Sequence, residues 1–236
     1  MKKLSLLVIA LPLLITACNT ACIEDAGVRV EHVQSLKEFD ELEVRGPIKV
    51  IIQQDSSYKV RIAADSNVVD EVKASVSGGT LKLKLDSDKY CGSDSVVIYA
   101  GIKLLKKINL ESGSKLQSTS LLNLRDVEMN LNGTTQVDLQ LTAGKLTTTV
   151  DGTAKIALSG QAGEHILNST GALSLNAFDF VVARYNLHTE GVNASNINVL
   201  NDLNVETSGT SETFYKGSPV KINKKKAGTA KLEKVN

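Results

Sequence analysis

The chain has 236 residues, with 27 Lys and Arg against 26 Asp and Glu and a formal net charge of +1 at pH 7. A nearly neutral chain is not a general nucleic-acid binder, because that function depends on an excess of positive charge. Aromatic residues make up 4% of the chain and Trp is absent, which disfavours a groove built on stacked aromatic platforms.

The first 17 residues are predicted to be an export signal. Two lysines precede an apolar run over residues 4–15, which is too short to span a bilayer comfortably. The ending ITAC, residues 15–18, resembles the bacterial lipobox, in which cleavage precedes the cysteine and its thiol carries lipid. We therefore predict a lipoprotein held to the membrane at Cys18, with an ordinary cleaved signal as the alternative. Asn19 favours the outer membrane, and the side that the protein faces stays open.

Two further cysteines, Cys22 and Cys91, remain after lipidation. An even pair in an oxidising compartment permits a disulfide, which would join the start of the mature chain to its folded body. A reduced pair is the alternative, since the sequence says nothing about the distance between the two thiols.

The mature chain is predicted to be a tether followed by one domain. Residues 18–38 have no clean hydrophobic period and are expected to form the tether, and residues 39–235 the domain. Within the domain, residues 39–100 contain non-repeating strands that cap one end, and residues 101–235 contain the repeats. The predicted strands show alternating apolar residues: FDELEVRG, IKVIIQQ, YKVRIAAD, TLKLKLD and SVVIYAG. SNVVDEVKASVSGG is the one stretch that could hold a helical turn, and SGGT at residues 77–80 indicates a hairpin turn.

Glycines flanked by small polar residues recur through the second half of the chain. They stand at Gly113, Gly133, Gly152, Gly171, Gly191, Gly209 and Gly228. The 18 to 20 residues between them, filled with strand-like alternation, are typical of a solenoid. Apolar residues at fixed offsets from each glycine would line a common core. We predict an all-β, parallel β-solenoid with rungs of about 19 residues, of the commoner right hand.

A second corner is predicted about halfway round each rung. Its charged column alternates in sign through Asp126, Lys145, Glu164, Arg184 and Asp202. Because stacked rungs lie about 4.8 Å apart, this ladder is expected to be attractive. Each exposed pair contributes less than about 1 kcal/mol, so the ladder would set register more than it stabilises the fold.

The charge is unevenly distributed along the chain. Residues 126–212 contain ten acidic and three basic residues, whereas residues 216–234 contain seven lysines and one Glu. The lysine run is interpreted as a solvated terminal strand that guards the sheet edge. Contact with anionic lipid or lipopolysaccharide is the alternative.

No catalytic or metal-binding pattern emerges from the sequence. Projection at a 19-residue period brings no two carboxylates onto adjacent rungs of one column, although acids from different columns stay open as a site. His32, His165 and His188 are isolated and lack ligand spacing. His165 falls in a core-facing column, where we expect it to be half-buried. We therefore expect no catalytic residue, no metal site and no cofactor.

Two long stretches carry a family resemblance. The opening FDELEVRGPIKVIIQQDSSYKVRIAADSNVVDEV and the ending VETSGTSETFYKGSPVKINKKKAGTAKLEKV, with the repeated glycine corners, resemble the putative auto-transporter adhesin, head GIN domain family. The resemblance covers roughly residues 39–235. It implies a β-solenoid on an exported, often lipid-anchored bacterial protein, and it carries over no catalytic residue. The name "adhesin" is itself an inference from fold analogy.

The sequence therefore predicts a non-enzymatic envelope lipoprotein of the outer membrane that displays a rigid solenoid for adhesion or envelope interaction. Its expected partners are the membrane, through the N-terminal lipid, and a glycan or protein of the envelope or surface, but no nucleic acid. The alternative is a protein that binds or acts on envelope polysaccharide through the acidic middle of the solenoid.

Overall fold

A computed structural model describes residues 22–25, 27–86, 90–92 and 96–236. The predicted export signal and Cys18 lie outside the described residues. Within that part of the chain, no helix has the length and apolar character needed to cross a membrane.

The described residues form strands joined by short corners, together with one 3₁₀ turn at Val69–Glu71. In chain order the strands are β1 (Arg29–Ser35), β2 (Glu41–Arg45), β3 (Lys49–Gln54), β4 (Lys59–Asp65), β5 (Lys73–Ser77), β6 (Thr80–Lys84), β7 (Val97–Ile102), β8 (Lys107–Glu111), β9 (Lys115–Ser118), β10 (Leu122–Asn123), β11 (Asp126–Ser169), β12 (Ala172–Thr189), β13 (Val192–Thr207), β14 (Thr210–Lys216), β15 (Lys221–Lys226) and β16 (Thr229–Lys234). All five strands predicted between residues 39 and 101 are present. The 3₁₀ turn lies in the stretch expected to hold one.

The strands wind into a parallel β-solenoid of about six turns, each of about 20 residues, which confirms the predicted fold class. Register runs from rung to rung: Ile156 pairs with Leu175, and Leu175 with Ser195. Alternate side chains of each strand point inward and form one continuous core between the two sheets. The second corner is a bend rather than a turn, because β11 stays extended through Gly144 and Gly163.

The glycines of the first corner stack on one another. In the column Gly133, Gly152, Gly171, Gly191, Gly209 and Gly228, a Cβ built on each glycine after the first would lie 1.9 to 2.5 Å from the carbonyl oxygen of the glycine before it. Side chains are therefore excluded by the backbone of the neighbouring rung. Gly113, the first of the predicted set, lies instead beside Pro47, where a Cβ would make an ordinary contact at 3.7 Å.

The N-terminal strands do not stack in chain order. The rung formed by β2 and β3 lies between the rung of β6 and β7 and the rung of β8 and β9. Antiparallel strands then cover this end: β1 pairs with β4, β4 with β7, and β5 with β6. The β5–β6 turn has positive φ at Gly78 and Gly79, which confirms the predicted hairpin at SGGT.

The prediction that residues 18–38 form a tether is wrong for β1. Residues 29–35 pair along their whole length with β4. Most of their side chains are exposed, so the strand lacks the alternation that sequence analysis relies on. Backbone hydrogen bonds to β4, rather than burial of a face, define this strand.

Cys22 and Cys91 form a disulfide, with their Cα atoms 5.7 Å apart. Around it, Ile23 bridges Tyr90 and the Tyr90 hydroxyl donates a hydrogen bond of 2.7 Å to Asp25 Oδ1. The start of the described chain is thus fixed to the body next to the antiparallel cap.

Candidate functional site

The solenoid presents two exposed sheet faces. We call the first the amide face, because its outward positions carry asparagines. Asn109 pairs with Asn130 near the start of the stack, and Asn186, Asn204 and Asn223 form a column near its end. Asn168 lies beside that column and pairs with His188. The second, the threonine face, adjoins the glycine column and carries short side chains at Thr134, Thr153, Ala172, Val192, Thr210 and Thr229. Parallel stacking in register places Asn186, Asn204 and Asn223 above one another, and likewise the residues of the threonine face from Thr153 to Thr229.

A directional chain of hydrogen bonds orders the amide face. Asn223 Nδ2 donates to Asn204 Oδ1 over 2.6 Å, Asn204 Nδ2 donates to Asn186 Oδ1 over 2.7 Å, and Asn186 Nδ2 donates to Glu164 Oε1 over 3.1 Å. A side-chain amide has two N–H donors and two acceptor lone pairs. One N–H of each amide is used in the ladder, so each still has a donor for a ligand.

Charged side chains flank this ladder. The Nε2 atom of His188 lies 3.6 Å from Glu190 Oε1, and its Nδ1 atom lies 3.6 Å from Glu206 Oε2. Glu206 also pairs with Lys225, whose ammonium lowers the pKa of the Glu206 carboxyl by hydrogen bonding and charge attraction. All of these side chains are about half exposed or more. The acids come from different columns, an arrangement that the column projection left open.

Together these residues line a shallow groove of about 340 Å³ over the last rungs of the amide face. Its lining holds four amides, a histidine, a carboxylate and two lysines, together with the apolar residues Ile166, Leu187 and Val205. Such a mixture of fixed donors and acceptors suits hydroxyl-rich ligands. Among the described residues, no group of three His, Cys, Asp or Glu side chains is placed to hold a metal ion.

The threonine face carries a longer trough of about 520 Å³ that runs across the rungs from Gly113 to Glu212. It is lined mainly by short side chains such as Thr153, Ala172 and Val192. The trough has few charged groups and no paired carboxylates in its lining, so it offers contact area rather than chemistry.

The predicted charge ladder lies at the edge of the amide face. Glu164, Arg184 and Asp202 pair in register, and Lys221 continues the column on β15. Arg184 Nε lies 3.8 Å from Glu164 Oε1. Among the described residues of the ladder, Glu164 and Arg184 are the neighbours close enough to form an ion pair. Asp126 and Lys145 both line a further shallow pocket on the same side.

The interior of the solenoid contains a polar cluster around His165. This histidine is fully buried rather than half-buried, because it replaces an apolar residue in a core column and Tyr185 pairs with it on the next rung. Thr148 Oγ1 lies 3.0 Å from His165 Nε2, and the rings of His165 and Tyr185 are 4.8 Å apart. Burial lowers the pKa of His165 to about 3, so the imidazole is neutral in the folded chain.

We expect His165 to make the protein less stable in acid. The unfolded chain binds a proton at this residue below pH 6.5, whereas the folded chain excludes it down to about pH 3. The contribution of His165 to the free energy of unfolding is therefore fully present above pH 6.5. Below that pH it falls by about 1.4 kcal/mol per pH unit. Urea unfolding at pH 7 and pH 4.5 should differ by about 2.5 kcal/mol from this residue alone.

The control for this pH effect is the double variant His165→Leu/Thr148→Val, which fits the apolar columns and removes both polar partners. Its loss of stability between the two pH values should be smaller than that of the wild type by the same amount. His188→Gln, a change at an exposed histidine, should leave the loss unchanged. Equal losses in the wild type and the double variant would contradict the assignment.

The amide ladder is the feature that sequence analysis missed. Its signal was present, because Asn186, Asn204 and Asn223 are spaced by 18 and 19 residues. A projection of carboxylates alone does not reveal a column of amides.

The sequence profile of the family described as "Putative auto-transporter adhesin, head GIN domain" matches residues 38–219. No curated protein matches the chain.

Several solved structures share the fold. A putative adhesin from Bacteroides fragilis is 20% identical, with a TM-score of 0.81 over 90% of this chain and 100% of that one. A putative adhesin from Parabacteroides distasonis is 19% identical, with a TM-score of 0.67 over 90% and 99%. A protein from the same species named as a putative lipid binding protein is 20% identical, with a TM-score of 0.62 over 91% and 99%.

Proposed function

The chain belongs to the putative auto-transporter adhesin, head GIN domain family, and from this premise we propose that it is a non-enzymatic, lipid-anchored protein of the bacterial cell envelope. In this proposal Cys18 carries the lipid at the outer membrane, and the solenoid displays its faces for adhesion or envelope interaction. The names of the family and of the B. fragilis relative support a cell-surface or envelope role.

The amide face is the observation that carries this proposal. Its amides are held in register by one another, so their remaining donors and acceptors are presented with little loss of side-chain entropy on binding. Each contact is weak, but repetition along the face, and over many anchored copies, multiplies the attachment.

The lipid anchor is tested by labelling cells that express the full chain with radioactive palmitate. Wild-type protein should be labelled and Cys18→Ala should not. The matched control is Cys22→Ala/Cys91→Ala, which removes the other two thiols and should keep its label. Undiminished label in Cys18→Ala would defeat the anchor.

The adhesive role is tested by retention of intact cells on glass coated with purified cell envelopes. Cells with the wild-type chain should be retained more than cells with Asn186→Ala/Asn204→Ala, while Thr153→Ala/Thr210→Ala on the opposite face should behave as wild type. Protease added to intact cells should cleave the displayed chain. A chain fully protected from protease, with no difference in retention, would argue against adhesion at the surface.

The groove on the amide face favours a second candidate, a protein that binds or acts on envelope polysaccharide. His188 between Glu190 and Glu206 is the observation behind it. Release of new reducing ends from purified envelope polysaccharide, lost in Glu206→Gln, would support an enzyme. Binding without release would support a lectin-like role within the first proposal.

A further inference from the structure

The C-terminal rung, formed by β15 and β16, closes the solenoid with lysines. β15 pairs with β13 and β16 pairs with β14, and in the part of the chain that the structure describes neither strand has a partner on its outer side. Lys224 and Lys226 stand in the core columns, paired with the buried Val205 and Thr207. Lysine therefore takes the positions that apolar or small side chains occupy in earlier rungs.

These lysines lie over the open end of the core and are not neutralised by carboxylates. Lys226 Nζ donates a hydrogen bond of 3.3 Å to the Ala230 carbonyl on the neighbouring strand β16. Lys234 Nζ donates a hydrogen bond of 3.2 Å to Ser218 Oγ. Among the described residues, Lys221 and Lys224 have no carboxylate within 4.0 Å. The rung thus carries four ammonium groups, from Lys221, Lys224, Lys226 and Lys234, that lack an acidic partner. We call these four the basic tip.

The positive charge of the tip contrasts with the rest of the molecule. Residues 221–236 hold six of the 27 basic residues and one of the 26 acidic residues, in a chain with a net charge of +1. The remainder is therefore acidic overall. A polyanion is attracted to the tip and repelled by the body, which favours end-on contact. A guard against strand pairing needs only the inward Lys224 and Lys226, and the charge column accounts for Lys221, which stacks on Asp202. Neither accounts for Lys234.

The position of the tip indicates which anionic surface it meets. In the order of stacked strands β1 is first and β16 is last, so the N-terminal and basic ends lie at opposite ends of the solenoid. β11 contributes two successive rungs to this order, so ten strand-to-strand spacings separate β1 from β16. At about 4.8 Å each, they amount to roughly 50 Å. If the N-terminus is lipid-anchored, as the proposed function holds, the tip faces away from that membrane.

We propose that the basic tip binds an anionic polysaccharide through its carboxylate groups. Lys224 also lines the groove on the amide face, whereas Lys221, Lys226 and Lys234 lie outside that groove. The choice of a glycan over a lipid surface rests on the N-terminal anchor. The end of the two-sheet coil is about 10 Å wide and one strand of about 20 Å long, which matches a few sugar units of a linear chain. The family profile ends at residue 219, so this rung lies beyond the segment that matches.

The test uses the full chain purified in detergent and immobilised polygalacturonate as the probe. The tip variant replaces Lys221, Lys224, Lys226 and Lys234 with Gln, and a body variant replaces Lys73, Lys82, Lys84 and Lys155 with Gln. Both lose the same charge. The tip variant should bind at least about tenfold more weakly, because four exposed charge contacts are lost. The body variant should stay within about threefold of wild type, and added salt should weaken wild-type binding.

Further arms make each outcome decisive. Replacing the four tip lysines with Arg should preserve binding, and Lys221→Glu, an exposed single change, should weaken it if the Gln variant does not fold. Equal loss in the tip and body variants, or equal binding to neutral dextran, would overturn the proposal. So would wild-type binding to phosphatidylglycerol vesicles without binding to polygalacturonate, since this would make lipid the partner. Because the purified protein is used, this result is independent of the lipid-labelling and cell-retention tests.

Discussion

Replacing Gly171 with Ala is expected to lower the free energy of unfolding by about 3 to 5 kcal/mol. A Cβ at this position would lie 1.9 Å from the carbonyl oxygen of Gly152, an atom of the neighbouring rung's backbone. The overlap can be relieved only by moving one rung away from the other. That movement weakens the hydrogen bonds and core contacts between the two rungs. Urea unfolding followed by far-UV circular dichroism measures the loss.

Gly113 provides a matched control for the stacking argument. It has a φ of +86°, so Ala there suffers backbone strain, but the nearest atom to a Cβ is 3.7 Å away. Gly171 is the reverse case, since its φ lies outside the left-handed region. Gly113→Ala should therefore cost about 1 to 2 kcal/mol. A cost for Gly171→Ala no greater than for Gly113→Ala would mean that the glycines do not stack in register.

Replacing both Cys22 and Cys91 with Ser is expected to cost about 3 to 4 kcal/mol, provided that the protein is oxidised. The two residues are 69 apart in sequence, so the cross-link closes a long loop in the unfolded chain and lowers its conformational entropy. The folded chain loses a restraint on residues 22–25, which otherwise depend on contacts such as Asn67 Nδ2 with the Glu24 carbonyl. The difference is measured by urea unfolding of the two oxidised proteins.

A reducing agent separates the disulfide from other effects of the substitution. Dithiothreitol should bring the wild type down to the stability of the double Ser variant and should not change the variant itself. An unchanged wild type under reduction would indicate that the two thiols are unpaired in solution.

The sequence is most informative where the next rung requires a particular residue type. The glycine column is visible in the sequence because any side chain at Gly152 or Gly171 would meet backbone. The core columns are visible because stacked inward positions must be filled with apolar groups. Together these two signals predicted the parallel solenoid and its period.

The order of the N-terminal rungs could not be predicted in the same way. The alternation in β2 and β3 requires apolar neighbours but does not specify which rung provides them, and the structure places the β6–β7 rung on one side and the β8–β9 rung on the other. The disulfide was left open for a related reason, since pairing depends on a distance in the fold. β1 was missed because its side chains are mostly exposed.

The candidate site was predicted only in part. The alternating charges at Glu164, Arg184 and Asp202 were recognised and do share a column. The amide ladder beside them was not, although it uses the same spacing. His165 was assigned to the correct column, but its full burial depended on packing against Phe180 and Tyr185, which a column alone does not show.

The repeating stack also gives this fold an adjustable length. From Gly133 to Gly228 each rung contacts the one before and the one after through the same glycine and core columns. Insertion or deletion of one complete rung would move the basic tip by about 4.8 Å along the axis while the cap at the other end kept its contacts. Evolution or design can therefore set the distance between the N-terminal cap and the basic tip in steps of one rung, without rebuilding either end.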